Sequence, residues 1–518
     1  MKRFTTLAVL VILAISIIAC GNRQPQGAVT DFRSPNPSYA RHDLSREAHI
    51  TIYNLSDTVA PDREEVIEYI NDRYMRPILN TTIEPVLLPN VNAAQMYPLL
   101  LAGGSDVDII FTAPWRFYNE EAAKGSFVEL TDDFLSTYMP NILATQPALS
   151  WVQARVYGAI YAVPAAFANF EHKFGVIRED LRLKYNLPPL TDWATLEQYA
   201  FTVSANEPGV PAYNTAATTW ELMCVYMQHR DILLTPQPVY FAWHHTGGLP
   251  DPNDLHFFYT SEWYRDYALT MARWYAAGAW GRNVMNQTVA VRDQFVQGRS
   301  ATHYHTTAVF GVGVTMEENG FGTPSWWEIS PDTVVRRRSY DTNMWAIAAT
   351  SNNIERAALA LDLMKTNDEL LYNIRFGIEG RHWIRTSPTT YTPGPEASGY
   401  PAGHWVGGAF DFPRNLTIDW PVGTPQAQIE MTQMFMDRTV DIEMDGFRFD
   451  VSSMATEWAV MSALIEEYRR SFECGIFEGQ TDARFTEWGN RLRQAGLDRM
   501  VALARAQYTE YRNNFRGL

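Results

Sequence analysis

The stretch from His49 to Thr112 constrains this chain more than any other. His49–Leu55 (HITIYNL) alternates in the manner of a strand. Residues 61–77 follow, with Val66, Ile67, Ile70 and Tyr74 at helical spacing. Asp62 is placed to cap that helix, and Glu64-Glu65 suits its positive end. Residues 82–88 read as a second strand and 95–102 as a short helix closed by Gly103-Gly104. Residues 108–112 (DIIFT) read as a third, buried strand. Strand, helix, strand, helix, strand implies a parallel sheet with helices on both faces. Ligands of such sheets lie beyond the carboxyl ends of the strands, so the loops 54–60 and 113–118 are the first places to look.

A second α/β pattern starts after Ile160–Pro164. Residues 178–185, 195–203, 260–277 and 286–297 read as helices, and 301–309 and 343–350 as strands. Tyr264, Tyr267, Met271 and Trp274 share one face of the helix over 260–277. A long helix is expected over 354–376. The tail differs: 426–440, 452–473 and 481–512 all read as helical. At 518 residues and 46% hydrophobic content the chain is globular and long enough for two or more lobes.

The N-terminus suggests a compartment. Lys2 and Arg3 precede an apolar run over 5–18, which reads as a secretory signal peptide and is too short for a comfortable membrane span. Ile17-Ile18-Ala19-Cys20 resembles the lipobox of bacterial lipoproteins. That resemblance implies cleavage after residue 19 and lipidation of Cys20, with an uncleaved anchor as the alternative. Residues 20–47 read as a flexible tether. Cys224 and Cys474 then remain, and their spacing alone does not establish a pair.

Lys and Arg number 42 and Asp and Glu 58, so the formal charge is 42 − 58 = −16. Such a chain lacks the basic footprint of a duplex nucleic-acid binder, and no nucleic-acid partner is expected. No phosphate-binding glycine loop, dinucleotide fingerprint, nucleophile elbow or His-Glu-x-x-His is present. His303-x-His305 points two imidazoles to one face of a strand but lacks a third ligand. Asp441-x-Glu443-x-Asp445-Gly446 is a weak match to a calcium loop, with Ser452 where the twelfth-position Glu belongs. Neither a metal nor a cofactor is expected. The unusual feature is 16 Trp beside 26 Tyr and 26 Phe, a level that suggests ring-lined ligand surfaces as well as core.

Several segments, in order, resemble the extracellular solute-binding proteins of ABC importers, in particular the large sugar-binding lipoproteins. They are Leu101–Phe111 followed by Trp115, then Lys124–Phe134, Tyr157–Pro164, Ile177–Leu181 with Thr191–Leu196, Phe295–Thr302 and Trp345–Ser351. Ala159 stands where the family usually has Lys. Gly377–Trp383 (GIEGRHW) and Gly446–Asp450 (GFRFD) are similar to a subfamily of long lipoproteins. The resemblance implies a two-lobe periplasmic-binding-protein-like fold of the α/β class, with hinge crossovers and extra C-terminal helices. Lobe one would hold 48–166 and 304–347, and lobe two 167–303 and 348–518. It further implies a monomeric, extracytoplasmic receptor without catalysis. Such a receptor captures a carbohydrate, is held to the membrane by its N-terminal lipid, and serves an ABC permease.

Ligand contacts are expected where loops meet the cleft. Asp57 lies in the first βα loop, and Trp115 and Arg116 follow the third strand. Phe167, Asn169 and Glu171 follow the first crossover. Trp243 and His244 lie in a loop of lobe two, and Tyr304 and His305 at the second crossover. Trp383 and Trp405 flank a Gly/Pro-rich segment. Rings stack on the C–H face of a sugar, and carboxylates and amides meet its hydroxyls. Each residue has a plain alternative as a cap, a core ring or a solvated charge. Two other classes stay open: a surface glycoside hydrolase or lyase using paired carboxylates, and a peptide-binding lipoprotein.

Overall fold

The computed structural model describes residues 39–515 apart from 57–59, 104–106, 157, 167–169, 215–218, 237–238, 282, 288, 290, 307–308, 310–311, 328–332, 388–389, 402–419, 422–425 and 478. The expected leader and Cys20 lie outside the described residues, as does most of the expected tether. Among the described residues, no helix is long and apolar enough to cross a membrane.

The first lobe is built on a five-stranded sheet. Its order is Thr81–Leu88, Ala48–Leu55, Ile109–Thr112, Met344–Ile347 and Ala162–Val163. The first three strands are parallel, as the alternation of strands and helices requires. Met344–Ile347 returns from far along the chain and runs antiparallel to Ile109–Thr112. Ile50, Ile52, Ile83, Ile109 and Ile110 are buried on both faces, which is what a sheet covered on both sides demands.

The helix expected over 354–376 is two helices, Ile354–Thr366 and Asp368–Phe376. Asn367 breaks it with extended backbone, and its side chain accepts the Leu370 N–H at 2.9 Å to cap the second piece. Both helices pack in the first lobe, where Leu359, Leu363, Leu370 and Ile374 share a core with Ile52 and Ile110. Asp362 accepts bonds from the Tyr39 hydroxyl (2.9 Å) and the Ile142 N–H (2.8 Å). The expected return to lobe two after residue 347 is therefore corrected. An amphipathic helix that follows a sheet strand by a short turn buries its apolar face on that same sheet.

The second lobe carries its strands in short pieces. Phe174–Ile177 lies between Thr302–His305 and Ser325–Trp327, antiparallel to both. Tyr304 thus belongs to the second lobe and not to the first, as its place at a crossover had implied. Aromatic residues dominate this core: Trp193, Trp243, Trp274, Trp327 and Trp488 share it with Tyr508 near the C-terminus. The chain passes between lobes after Ala165 and again between Arg338 and Met344. The two passes lie side by side, with the Ala165 N–H donating to the Tyr340 carbonyl at 2.9 Å. Tyr400 then packs in the first core and Phe435 in the second lobe. The three C-terminal helices are Ala455–Glu473, Thr481–Gln494 and Leu497–Asn514. The last two are parted at Gly496, whose φ of +108° favours glycine. Cys224 and Cys474 are both free thiols.

The Gly377–Trp383 segment is a clasp. Asp62 sits at its helix start but makes no side-chain cap bond. Its carboxylate instead lies 3.2 Å from His382 Nε2. His382 Nδ1 accepts the Ile378 N–H at 3.0 Å, which leaves Nε2 as the donor to Asp62. Arg381 joins Glu65 and Glu396 on the same surface. The Asp62 N–H donates to the Gly399 carbonyl at 2.9 Å, and a Cβ at Gly399 would overlap the Asp62 carboxylate. Removing His382 leaves part of a buried bonding set unmatched, which costs about 1–3 kcal/mol. We expect His382→Ala and Gly399→Ala each to lower the urea midpoint of the first lobe's transition. Midpoints unchanged from wild type would show that the clasp contributes nothing.

Candidate functional site

The loop 113–117 after Ile109–Thr112 is unusually tight. Ala113 O accepts the N–H groups of Arg116 (2.8 Å) and Tyr118 (3.1 Å), and Phe117 takes a left-handed φ of +62°. This geometry pushes Trp115 outward, and the residue is 43% exposed. Its indole Nε1–H donates to the Thr342 carbonyl at 2.6 Å, which fixes the ring against the second crossover. The Arg116 guanidinium lies 4.9 Å from the ring centre.

Trp115 and Pro114 form the first-lobe wall of a cavity of about 260 Å³. Trp220 and Tyr240 line it from the second lobe, their rings 4.9 Å apart and tilted by 32°. Trp220 opens the helix Trp220–Gln228, whose Cys224 and Gln228 also face the space. Gln228 Oε1 accepts the Lys173 N–H at 3.0 Å, tying that helix to the first crossover.

The cavity's polar side is a set of charges. Lys173 Nζ lies 2.9 Å from Glu171 and 3.0 Å from Glu221, and Arg338 lies 3.5 Å from Glu171. Burial opposes ionisation of Glu171. The Lys173 ammonium and the Arg338 and Arg336 guanidinium groups override it, and the carboxyl is held down at about 2. Burial likewise disfavours the Lys173 cation, but Glu171 and Glu221 hold its proton more firmly than usual. Arg336 reaches Asp445 (3.0 Å) and the Leu234 carbonyl (3.0 Å). Burial pushes the Cys224 thiol up, so it is a weakly polar wall and not a nucleophile. The chemistry on offer is aromatic faces beside fixed donors and acceptors.

Trp115 and Glu171 line this cavity. Arg116 does not, although its guanidinium sits over the Trp115 ring. His305 lies behind it, with Nε2 3.9 Å from Glu221, and burial lowers its pKa. Trp243, Tyr304 and Trp383 are corrected to core residues at 1%, 0% and 2% exposure, since a fully buried ring offers no face to a ligand. Trp243 ends a buried run in the strand Phe241–His244, and Tyr304 packs edge-on to Tyr213 at 5.2 Å. Trp383 stacks on Tyr372 at 5.3 Å and donates to the Gly377 carbonyl. His244 is exposed at its strand end, away from the cavity. Asp57, Phe167, Asn169 and Trp405 lie outside the described residues.

Reading the sequence missed Trp220, Tyr240, Lys173, Arg336 and Arg338. Three consecutive arginines, Arg336 to Arg338, in so acidic a chain were a usable signal. The Asp441–Gly446 segment is explained by the same run: Asp441 pairs with Arg337 and Asp445 with Arg336, so those carboxylates face guanidinium groups. Among the described residues, no group of three or more His, Cys, Asp or Glu side chains is placed to hold a metal ion.

A model for a domain of unknown function (DUF3502) matches residues 443–513. No curated protein sequence matches the chain. Among solved structures, the chain is similar to the N-glycan transport solute-binding protein NgtS from Streptococcus pneumoniae in complex with Man5GlcNAc. That match has 17% identity and a TM-score of 0.70, covering 91% of this chain and 100% of that one. It is also similar to the alginate-binding protein AlgQ2 (16%, TM-score 0.64, 90% and 99% covered). The maltose-bound MalE3 of T. maritima is a third (16%, TM-score 0.51, 86% and 99%). At these identities the likeness is one of fold, and the chain has the two-lobe fold of solute-binding proteins.

Glu171 generates a pH prediction. Its folded pKa lies below the ordinary value of 4.5, so its contribution to stability is complete above about pH 4.5 and is lost as pH falls toward 2. We expect Glu171→Gln to lower the melting temperature at pH 7. The gap to wild type should narrow as pH drops from 4.5 toward 2. A gap that stays constant over that range would refute the assignment.

Proposed function

We propose that this chain, with its solute-binding fold, is the carbohydrate receptor of an ABC importer. In this reading it captures an oligosaccharide between its lobes and delivers it to a membrane permease. It acts outside the cytoplasm as a monomer, held to the membrane by lipid on Cys20. The observation that carries the reading is the cavity wall. One exposed indole from the first lobe and a Trp–Tyr pair from the second border the same space, beside a fixed set of charged and amide groups. A sugar ring buries its C–H face on such rings, and its hydroxyls need donors and acceptors that are already oriented. Closure of the lobes then favours whichever ligand contacts both walls.

The Glu171 carboxylate favours binding over hydrolysis. A glycosidase acid must hold a proton near neutral pH, which requires a raised pKa. Glu171 is pulled the opposite way by Lys173 and Arg338. Two of the solved structures that this chain resembles, NgtS and AlgQ2, are named as binding proteins, which supports the same side.

The test is a thermal-shift and calorimetric screen of the protein from residue 21 onward. The probes are Man5GlcNAc, alginate oligosaccharides, maltose and a mixed peptide pool. Ligand at a hundred times its dissociation constant stabilises by about 2.7 kcal/mol, well within range. We expect a saturable shift with a saccharide class. Trp115→Ala and Trp220→Ala should each weaken it at least tenfold, about 1.4 kcal/mol. A shift with peptides alone would replace the carbohydrate reading, and consumption of a bound sugar would replace the receptor reading.

A further inference from the structure

The region matched by the model of unknown function reaches the cavity wall at three points. Asp445 holds Arg336, which lines the cavity. Glu473, fully buried, accepts a bond from the Thr219 hydroxyl, directly before the helix that carries Trp220 and Gln228. Arg448 makes the most connected contact. Its Nη2 lies 2.8 Å from Asp341 Oδ2 and 3.3 Å from Ser339 Oγ, and its Nε donates to the Gln153 carbonyl of the first lobe at 3.1 Å.

Ser339 and Asp341 belong to, or flank, the single turn Tyr340–Thr342 of the second crossover. The Thr342 hydroxyl and N–H both return to the Ser339 carbonyl, at 2.6 and 3.2 Å. The Thr342 carbonyl left pointing outward receives the Trp115 indole N–H. One guanidinium thus closes a turn whose far end holds the exposed ring. A planar fork spreads its donors, so that Nη2 meets the carboxylate and the hydroxyl while Nε meets the carbonyl, whereas an ammonium has its three donors at one point.

We propose that Arg448 is a positioning residue for Trp115, so that the C-terminal region shapes the ligand-binding wall without lining up against the ligand itself. Its value for binding rests on the carbohydrate reading above, while its effect on the ring does not. The chain of contacts runs from Arg448 to Asp341 and Ser339, through the turn to the Thr342 carbonyl, and so to the indole. The other two contacts, Asp445 to Arg336 and Glu473 to Thr219, fix the neighbouring parts of the same wall.

The test reads the indole N–H directly. The full chain from residue 21 is labelled with ¹⁵N-tryptophan, and the Trp115 cross-peak is assigned by its loss in Trp115→Phe. No saccharide is added, so the outcome is independent of whether one binds. We expect Arg448→Met to move the Trp115 proton upfield by at least 0.5 ppm or to broaden it beyond detection. Arg448→Lys and Asp341→Asn should give intermediate shifts. Arg499→Met, which breaks an exposed pair with Glu457 in the same region, should leave the peak in place. An unmoved Trp115 peak in folded Arg448→Met overturns the proposal. If that variant does not fold, an unmoved peak in both Arg448→Lys and Asp341→Asn does the same. An equal shift in Arg499→Met also overturns it, because the effect would then be general to the region.

Discussion

The ion cluster beneath the crossovers is the constraint on which the rest depends. Lys173 sits between Glu171 and Glu221, Arg336 faces Asp445, and Arg448 faces Asp341. Moving such groups out of water costs several kcal/mol per ion unless each finds its partner. The partners come from four separate stretches of chain, so the cluster is complete only when the crossovers, the Trp220 helix and the C-terminal region are all in place. A set of charges of this kind is a poor source of net stability but a demanding test of correct assembly. It also gives the cavity a polar floor that is oriented before any ligand arrives.

The aromatic residues have two destinations. Most indoles stiffen the second lobe, where short strands cannot build a broad sheet and large rings fill the space between helices. Few rings are left half-exposed on the cavity, and they are held by local geometry. Trp115 is thrust out by a tight loop with a left-handed residue behind it. Trp220 is carried at the first turn of a helix.

How much was legible in the sequence follows from the range of the forces involved. The first sheet was legible because its strands are long enough to show a period and its helices are joined by short loops. The break at Asn367 was not, because the apolar spacing runs on through it. The second lobe was poorly legible, since strands of two to four residues such as Phe170–Glu171 carry no period. Within the site, Trp115 and Glu171 could be placed because each follows directly on a strand or crossover. Trp220 and Tyr240 could not, because what brings them to the cavity is packing between distant segments. Trp243, Tyr304 and Trp383 look the same in sequence as Trp115. Only the finished fold distinguishes a ring inside a core from one at its edge.

The interleaving of the lobes bears on how the chain is made. The first core needs the helices Ile354–Thr366 and Asp368–Phe376 to cover its sheet, and Tyr400 packs against it last. The second core is still open then, because Met461, Trp488 and Tyr508 have yet to emerge. A chain appearing from its N-terminus would therefore hold an aromatic half-core exposed until its final helices arrive, a state prone to stick to its neighbours. The last helices are then the step that ends this exposure, and a chain truncated before them should aggregate instead of yielding a smaller folded protein.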